Sequence, residues 1–169
     1  MNLGAAYVRQ RDVAQAYHHL HQSRNYYEQI QSKDFLAETL RYLAEAALVD
    51  GDLGQAAAWA EEGIALANEL EMSVDAACCH CVLGQIAMAQ DDLETAESQL
   101  RQSVNMLEPL SDEYQLARSR YWLACLLLGI GEKQEARTLL AQAQTAFAHL
   151  DAALDLTAVQ TLQKTVDLA

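Results

Sequence analysis

Three groups of side chains in this sequence are of kinds that do chemistry. The densest is Cys78-Cys79-His80-Cys81, with a fourth thiol at Cys125. Zinc takes four ligands in a tetrahedron. On a continuous helix Cys78 and Cys81 share a face and could hold an ion with Cys125, but Cys79 and His80 then point elsewhere. No fourth ligand is evident, and buried small thiols are the commoner reason for such a cluster. A redox-sensing thiol near Arg118 is the other reading. The second group is His18, His19 and His21, in which His18 and His21 share a face with no carboxylate or Cys to complete a site. The third is a row of acids, Asp12, Asp52, Asp92 and Glu132, each a full forty residues from the next and too far apart to share an ion. There is no glycine-rich phosphate loop, no nucleophile elbow and no acid–base pair in a recognisable setting. No catalytic residue, metal site or cofactor is therefore expected.

The row of acids instead leads back to the elements that carry it. A helix start explains an acid at a fixed place, because the first amide N–H groups lack partners and face the positive end of the helix dipole. Aspartate caps better than glutamate, so the start at Glu132 is expected to be the weaker one. The surrounding residues keep the same register. Leu83-Gly84 has counterparts in Leu3-Gly4, Leu43-Ala44 and Leu123-Ala124, and an alanine follows each acid at Ala16, Ala56, Ala96 and Ala136. A fixed period in the range of about twenty to fifty residues marks a stacked repeat protein. Small residues on two facing helices let the backbones approach closely, and the leucines beside them fill the space between repeats.

Composition fits helices and limits partners. The 169 residues are 51% hydrophobic, with one proline and 7% aromatics. Twenty-four acidic against 11 basic residues give a formal net charge of −13, spread along the chain, which disfavours a nucleic-acid partner. No apolar run is long enough to span a bilayer and no secretory signal is visible, so no membrane partner is expected. Reduced cysteines suit a cytoplasmic protein.

The pattern predicts helices over 2–9, 13–31, 33–49, 53–71, 74–89, 93–108, 112–129, 133–149 and 152–167. Ser32, Ser73 and Ser111 are the expected caps of the odd-numbered starts. Ile30, Leu70, Leu110 and Leu150 are expected to fasten each second helix to the next repeat. The first helix is short, and a chain cut from a longer array is the expectation, since Leu3 and Tyr7 would otherwise leave apolar surface uncovered. The segment from Asp151 onward departs from the register, with Gln163 where a leucine is due. Its narrow stripe of Leu156, Val159, Leu162 and Val166 describes a capping helix.

These residues resemble the tetratricopeptide repeat. The matching positions are Leu83-Gly84, Ala87, Asp92, Ala96 and Leu100, and again Leu43-Ala44, Ala47, Asp52, Ala56 and Ala60. The likeness covers roughly residues 1–150. The usual repeat is about 34 residues, whereas this one is forty and lacks the closing proline in three of four copies. The longer form is similar to arrays attached to bacterial signalling ATPases, transcriptional regulators and nucleotide cyclases. The resemblance implies an all-α, right-handed α-solenoid of about four antiparallel helix pairs with a C-terminal capping helix, in one domain. The repeats would fall at about 1–32, 33–72, 73–111 and 112–150, with the cap at 151–168.

In such arrays the first helices line a concave groove that binds peptides or partner proteins. Carried onto this chain, the groove comprises Glu38, Arg41, Glu45 and Leu48, then Cys78, Cys81, Gln85 and Met88, then Arg118, Tyr121, Cys125 and Leu128. The expected partner is a protein or peptide, with a short acidic or amphipathic segment suiting Arg41 and Arg118 about Tyr121. The best known groove of this kind clamps a C-terminal carboxylate, but the matching places here hold Glu45, Cys78 and Val82. The implied role is a regulatory or docking segment of a larger bacterial signalling protein, without enzymatic activity. Two alternatives stay open. One is small-molecule sensing near Cys78, Cys81, Tyr121 and Cys125; the other is self-association, through the incomplete first repeat or the convex face.

Overall fold

The computed structural model describes residues 2–167, and among them it contains helices and turns but no strand. The helices are α1 (Asn2–Gln10), α2 (Val13–Gln29), α3 (Lys33–Asp50), α4 (Leu53–Glu69), α5 (Ser73–Ala89), α6 (Leu93–Leu107), α7 (Glu113–Gly129), α8 (Lys133–His149) and α9 (Ala153–Asp167). None is long and apolar enough to cross a membrane.

The turns reveal a module of half the sequence period. A residue in the left-handed conformation ends seven of the eight connections: Arg11, Gln31, Gly51, Glu71, Asp91, Gly131 and Asp151. These stand twenty residues apart, with position 111 alone missing. Each is followed by the cap of the next helix, so one helix plus one tight turn is the elementary unit. The missing member falls after Pro109, where α6 ends in a right-handed residue, Glu108, instead. Proline fixes its own φ at about −65° and leaves the turn no N–H to donate, so this connection takes another path.

Asp12, Asp52 and Asp92 each accept a hydrogen bond from the N–H three residues on, at 3.0–3.2 Å. Glu132 occupies the same place and makes no side-chain cap bond, since its longer side chain overshoots the amide. The serines do not cap as expected. Ser32 holds the cap position, but its hydroxyl donates to Asp34 Oδ1 at 2.7 Å. Met72 caps α5, with Ser73 already inside the helix. Asp112 rather than Ser111 caps α7, accepting from the Gln115 N–H at 3.0 Å.

Contacts between helices explain the curvature. Each helix packs on its neighbours in the chain, and the odd-numbered ones also touch each other: α1 on α3, α3 on α5, α5 on α7 and α7 on α9. The backbones of the even-numbered helices stay further apart, bridged only by side chains such as Arg24 to Glu62 and Arg101 to Glu135. The odd helices are therefore the crowded inner layer and the even ones the splayed outer layer. Close approach within a hairpin needs the small residues seen in the sequence. A Cβ on Gly84 would lie 2.5 Å from Leu100 Cγ and 3.3 Å from the Ala96 carbonyl oxygen. Gly4 stands in the same relation to Leu20. The glycine thus admits a leucine one turn beyond the facing alanine as well as the alanine itself. Leu43 and Leu123 are buried, Leu83 is half-buried, and Leu3 lies open. Ile30 and Leu150 depart from expectation: both end their helices at the C-cap and stay exposed, so neither fastens its helix onto the next repeat.

Candidate functional site: the concave groove

The inner layer carries the residues that spacing places on the groove, but it buries some of them. Arg41, Glu45, Cys78 and Cys81 are buried. Glu38, Leu48, Gln85, Met88, Arg118, Tyr121, Cys125 and Leu128 are half-buried. The cause is the close packing of α3, α5 and α7, whose alanines at 37, 44, 76 and 117 leave no channel between them.

Arg41 and Glu45, with Glu38, Asp75 and Arg118, form an ionic knot. Arg41 Nε donates to Asp75 Oδ1 at 2.9 Å, and its other nitrogens lie 3.7 Å from Glu38 and 3.6 Å from Glu45. Its guanidinium sits 4.0 Å over the Tyr42 ring. Arg118 Nη1 donates to Glu45 Oε1 at 3.1 Å and to Gln115 Oε1 at 3.4 Å. Glu45 therefore joins α3 to α7 across α5, over 73 residues of sequence. Burial alone would lift the Glu45 carboxyl, but Arg118 and Arg41 outweigh it and hold it below the ordinary glutamate value. Glu38 has the opposite balance: burial wins and its carboxyl is raised. Arg41 is ringed by acids of its own chain and buried, so it does not present a charge to a ligand, although its Nη1 makes no hydrogen bond.

The thiols are inert. Burial pushes Cys78 up to about 12 and raises Cys79 and Cys81 as well, so all three stay protonated near neutrality. Cys125 reaches about 11, also through burial, and hydrogen-bonds with Tyr121. Gln85 Nε2 donates to the Cys81 carbonyl at 3.3 Å. Cys79 faces the Gly63 backbone of α4, and His80 is held between Gln99 and Gln102 of α6. Only about 10 Å³ lies open beside Cys78 and Cys81, room for about one water. Among the described residues no group of His, Cys, Asp and Glu is placed to hold a metal. The histidines of α2 also part company: His19 stacks on Tyr7, and His21 lies against Tyr17 and Trp59.

The usable space lies one layer further in, where the two ends of the array converge. A cavity of about 470 Å³ is walled by α1 at Val8 and Arg9 and the turn residue Arg11 after it, by α3 at Leu48 and Val49, and by α7 at Tyr114, Arg118, Tyr121 and Trp122. Leu154 and Asp155 of α9 complete it. The Arg9 guanidinium lies 5.0 Å from the Tyr114 ring, whose hydroxyl donates to Asp155 Oδ2 at 3.1 Å. Arg9, Tyr114 and Asp155 so link the first, seventh and ninth helices across the mouth. Of the residues that spacing places on the groove, Arg118, Tyr121, Gln85 and Glu45 line this cavity, while Arg9, Arg11, Trp122 and Asp155 are additions. Tyr114 was legible, since it precedes Arg118 by four residues on the same helical face. The arrangement offers cations, aromatic faces and an apolar floor, and so suits binding rather than bond-breaking.

Two comparisons with known proteins place this architecture. The chain is similar in structure to BtubC (BKLC) from P. vanneervenii, with a TM-score of 0.68 and 16% sequence identity, over 98% of this chain and 72% of that one. That likeness bears on the fold alone. No curated protein sequence matches the chain. The sequence pattern of the MalT-like TPR region matches residues 1–166. Such helical repeats generally serve as scaffolds for protein interaction rather than as catalysts. With alanine-lined helix pairs, a repeating turn and a match over nearly its whole length, the chain belongs to the MalT-like TPR family.

Proposed function

We propose that this chain is the docking segment of a larger bacterial signalling protein, acting in the cytoplasm, and that it holds a stretch of a partner protein in the groove between α1, α7 and α9. One observation carries the reading. A cavity of about 470 Å³ gathers Arg9, Arg11 and Arg118 around Tyr114, Tyr121 and Trp122, on a chain whose net charge is −13. Arginine, tyrosine and tryptophan are the residue types that most often anchor interfaces. Three arginines against two carboxylates, Glu45 and Asp155, leave an excess of cations in the groove of an acidic protein and favour a partner segment with acidic and apolar side chains. The four free thiols support a reducing compartment.

Replacing Tyr121 by a photo-crosslinking phenylalanine analogue in the host cell tests this, with Gln142 on the outer face of α8 as the control position. Protein adducts from position 121 and none from 142 are expected. Adducts from 142 alone would move the partner to the convex face. A second reading rests on the cavity's size, which falls in the range of about 300–1,000 Å³ occupied by small-molecule sites. It predicts no adduct at 121 and a rise in Tm with a metabolite panel. That site would lie among Arg9, Tyr114 and Tyr121 rather than beside the sealed Cys78 and Cys81.

A further inference from the structure

Two arginines address a single carboxylate oxygen. Glu45 Oε1 accepts from Arg118 Nη1 at 3.1 Å and lies 3.6 Å from Arg41 Nη1. The first distance is a hydrogen bond and the second is not. Arg41 is 4% exposed, and its Nη1 is buried without a hydrogen-bond partner. A buried N–H left unpaired costs the free energy of its lost water. A shift of about 0.7 Å brings the 3.6 Å distance to the ordinary hydrogen-bond length of about 2.9 Å. The oxygen thus has two places to rest, one on α7 and one on its own helix, α3.

Arg118 is placed to gain when Glu45 takes the second. Its bonds to Glu45 and Gln115 both leave from Nη1, so the Nε–Nη2 edge carries none to another described residue. That edge is a fork that fits a carboxylate with two parallel bonds. The side chain is 23% exposed, and it shares the cavity wall with Tyr114, Tyr121, Trp122 and Phe147. Arg9 and Arg11 are exposed instead, so water already serves them. A cation set among rings and largely stripped of water attracts a carboxylate more strongly than one in solvent. Two carboxylates on one guanidinium repel each other, so the arrival of a second favours the departure of Glu45 toward Arg41.

On the reading that the groove holds a partner segment, we propose that Arg118 takes an aspartate or glutamate side chain of that partner and that Glu45 is its internal stand-in, handed to Arg41 as the partner binds. No buried charge is stranded by the exchange. Glu45 keeps a cation, Arg41 Nη1 gains its missing bond, and Arg118 trades one carboxylate for another. The same exchange unties α3 from α7, so a filled groove no longer links the second repeat to the fourth through this pair. Guanidinium resonances of Arg41 and Arg118 in the isotope-labelled 169-residue chain test it. The probe is N-acetyl-glutamate amide, with N-acetyl-glutamine amide as its uncharged control. The glutamate probe should move both resonances along one saturation curve, Arg118 as it takes the new carboxylate and Arg41 as Nη1 finds Glu45. In Glu45→Gln the Arg41 response should vanish, and the probe should bind about fivefold tighter or more, because its competitor has lost its charge. Silence at both arginines, a response shared by the glutamine probe, or an Arg118 shift with Arg41 unmoved each overturns the exchange. Any of these together with protein adducts at position 121 leaves the docking reading standing. Both resonances moving with no adduct at 121 overturns the docking reading and keeps the exchange.

Discussion

Arg41 on the inner layer and Arg101 on the outer layer make the same bond over the same sequence distance, in opposite surroundings. Arg41 reaches from α3 to Asp75 of α5, and Arg101 reaches from α6 to Glu135 of α8, each across 34 residues. Each is also braced by an acid one turn away on its own helix, Glu45 or Glu97. Yet the Arg41 side chain is 5% exposed and the Arg101 side chain 39%. The pair chemistry is shared, so what differs is solvent. Inside, each charge has lost its water and depends on its partner. Outside, water and salt replace whatever the partner supplies. The inner pair moreover extends through Glu45 to Arg118, two repeats away. Solenoid repeats ordinarily bind only their nearest neighbours, whereas this knot ties the second repeat directly to the fourth.

The largest expected effect comes from breaking the inner pair. Arg41→Met leaves Asp75 and Glu38 without their cation and Glu45 with Arg118 alone, and should cost about 3–5 kcal/mol, read as a lower urea midpoint. Adding Asp75→Leu removes the worst of the orphaned charge and should recover part of the loss. A double variant no better than the single would mean that the acids are satisfied by other means. Acid sharpens the same point. Glu45 has a folded pKa below its unfolded one, so its contribution is present above about pH 4.3 and disappears as pH falls through the folded value. Glu45→Gln should therefore be less stable than wild type at pH 7, and the gap should narrow below about pH 4. A gap that does not change with pH would remove the carboxylate charge from the account.

How much of this was legible beforehand divides along the same line. The fold was readable because its determinants are local: Asp12, Asp52 and Asp92 cap by reaching three residues ahead, and the small residues at 84 and 96 answer each other within one hairpin. The predicted ends at Gln31 and Glu71 overran by two residues, because Ile30 and Leu70 are apolar and look helical while each is the C-cap before a left-handed turn. The groove was readable only in part. Spacing identifies which side of α3, α5 and α7 faces inward. Whether Arg41 or Cys78 on that side meets solvent depends on how closely the next helix packs. Arg9, Tyr114 and Asp155 meet because small rotations accumulate over four hairpins, and no window of sequence contains that sum.

Packing between hairpin helices comes next in size. Gly84→Ala sets a methyl group 2.5 Å from Leu100 Cγ and should cost about 1–3 kcal/mol through overpacking. The second repeat carries Ala44 and Ala60 at these two places, both fully buried. Gly84→Ala with Leu100→Ala copies that arrangement, and the measured cost should fall below the sum of the two single changes. Helix caps give a smaller contrast within one molecule. Asp92→Ala loses a bond to the Thr95 N–H and should cost about 1 kcal/mol, whereas Glu132→Ala loses no such bond and should change the thermal midpoint little.

The outer pair should give the smallest effect, and its size decides whether burial or geometry sets the strength of such bonds. Arg101 donates to both oxygens of Glu135, at 2.7 and 2.9 Å, and to Glu97 at 2.8 Å, geometry as favourable as that of Arg41. These bonds hold the Glu135 carboxyl below its usual value. Glu135 is nevertheless open to solvent, so its loss exposes no charge that water cannot serve. Glu135→Gln should therefore shift stability by about 0–1 kcal/mol, and less as salt is added. A cost matching that of Arg41→Met would show that geometry rather than burial sets the strength of these inter-repeat bonds.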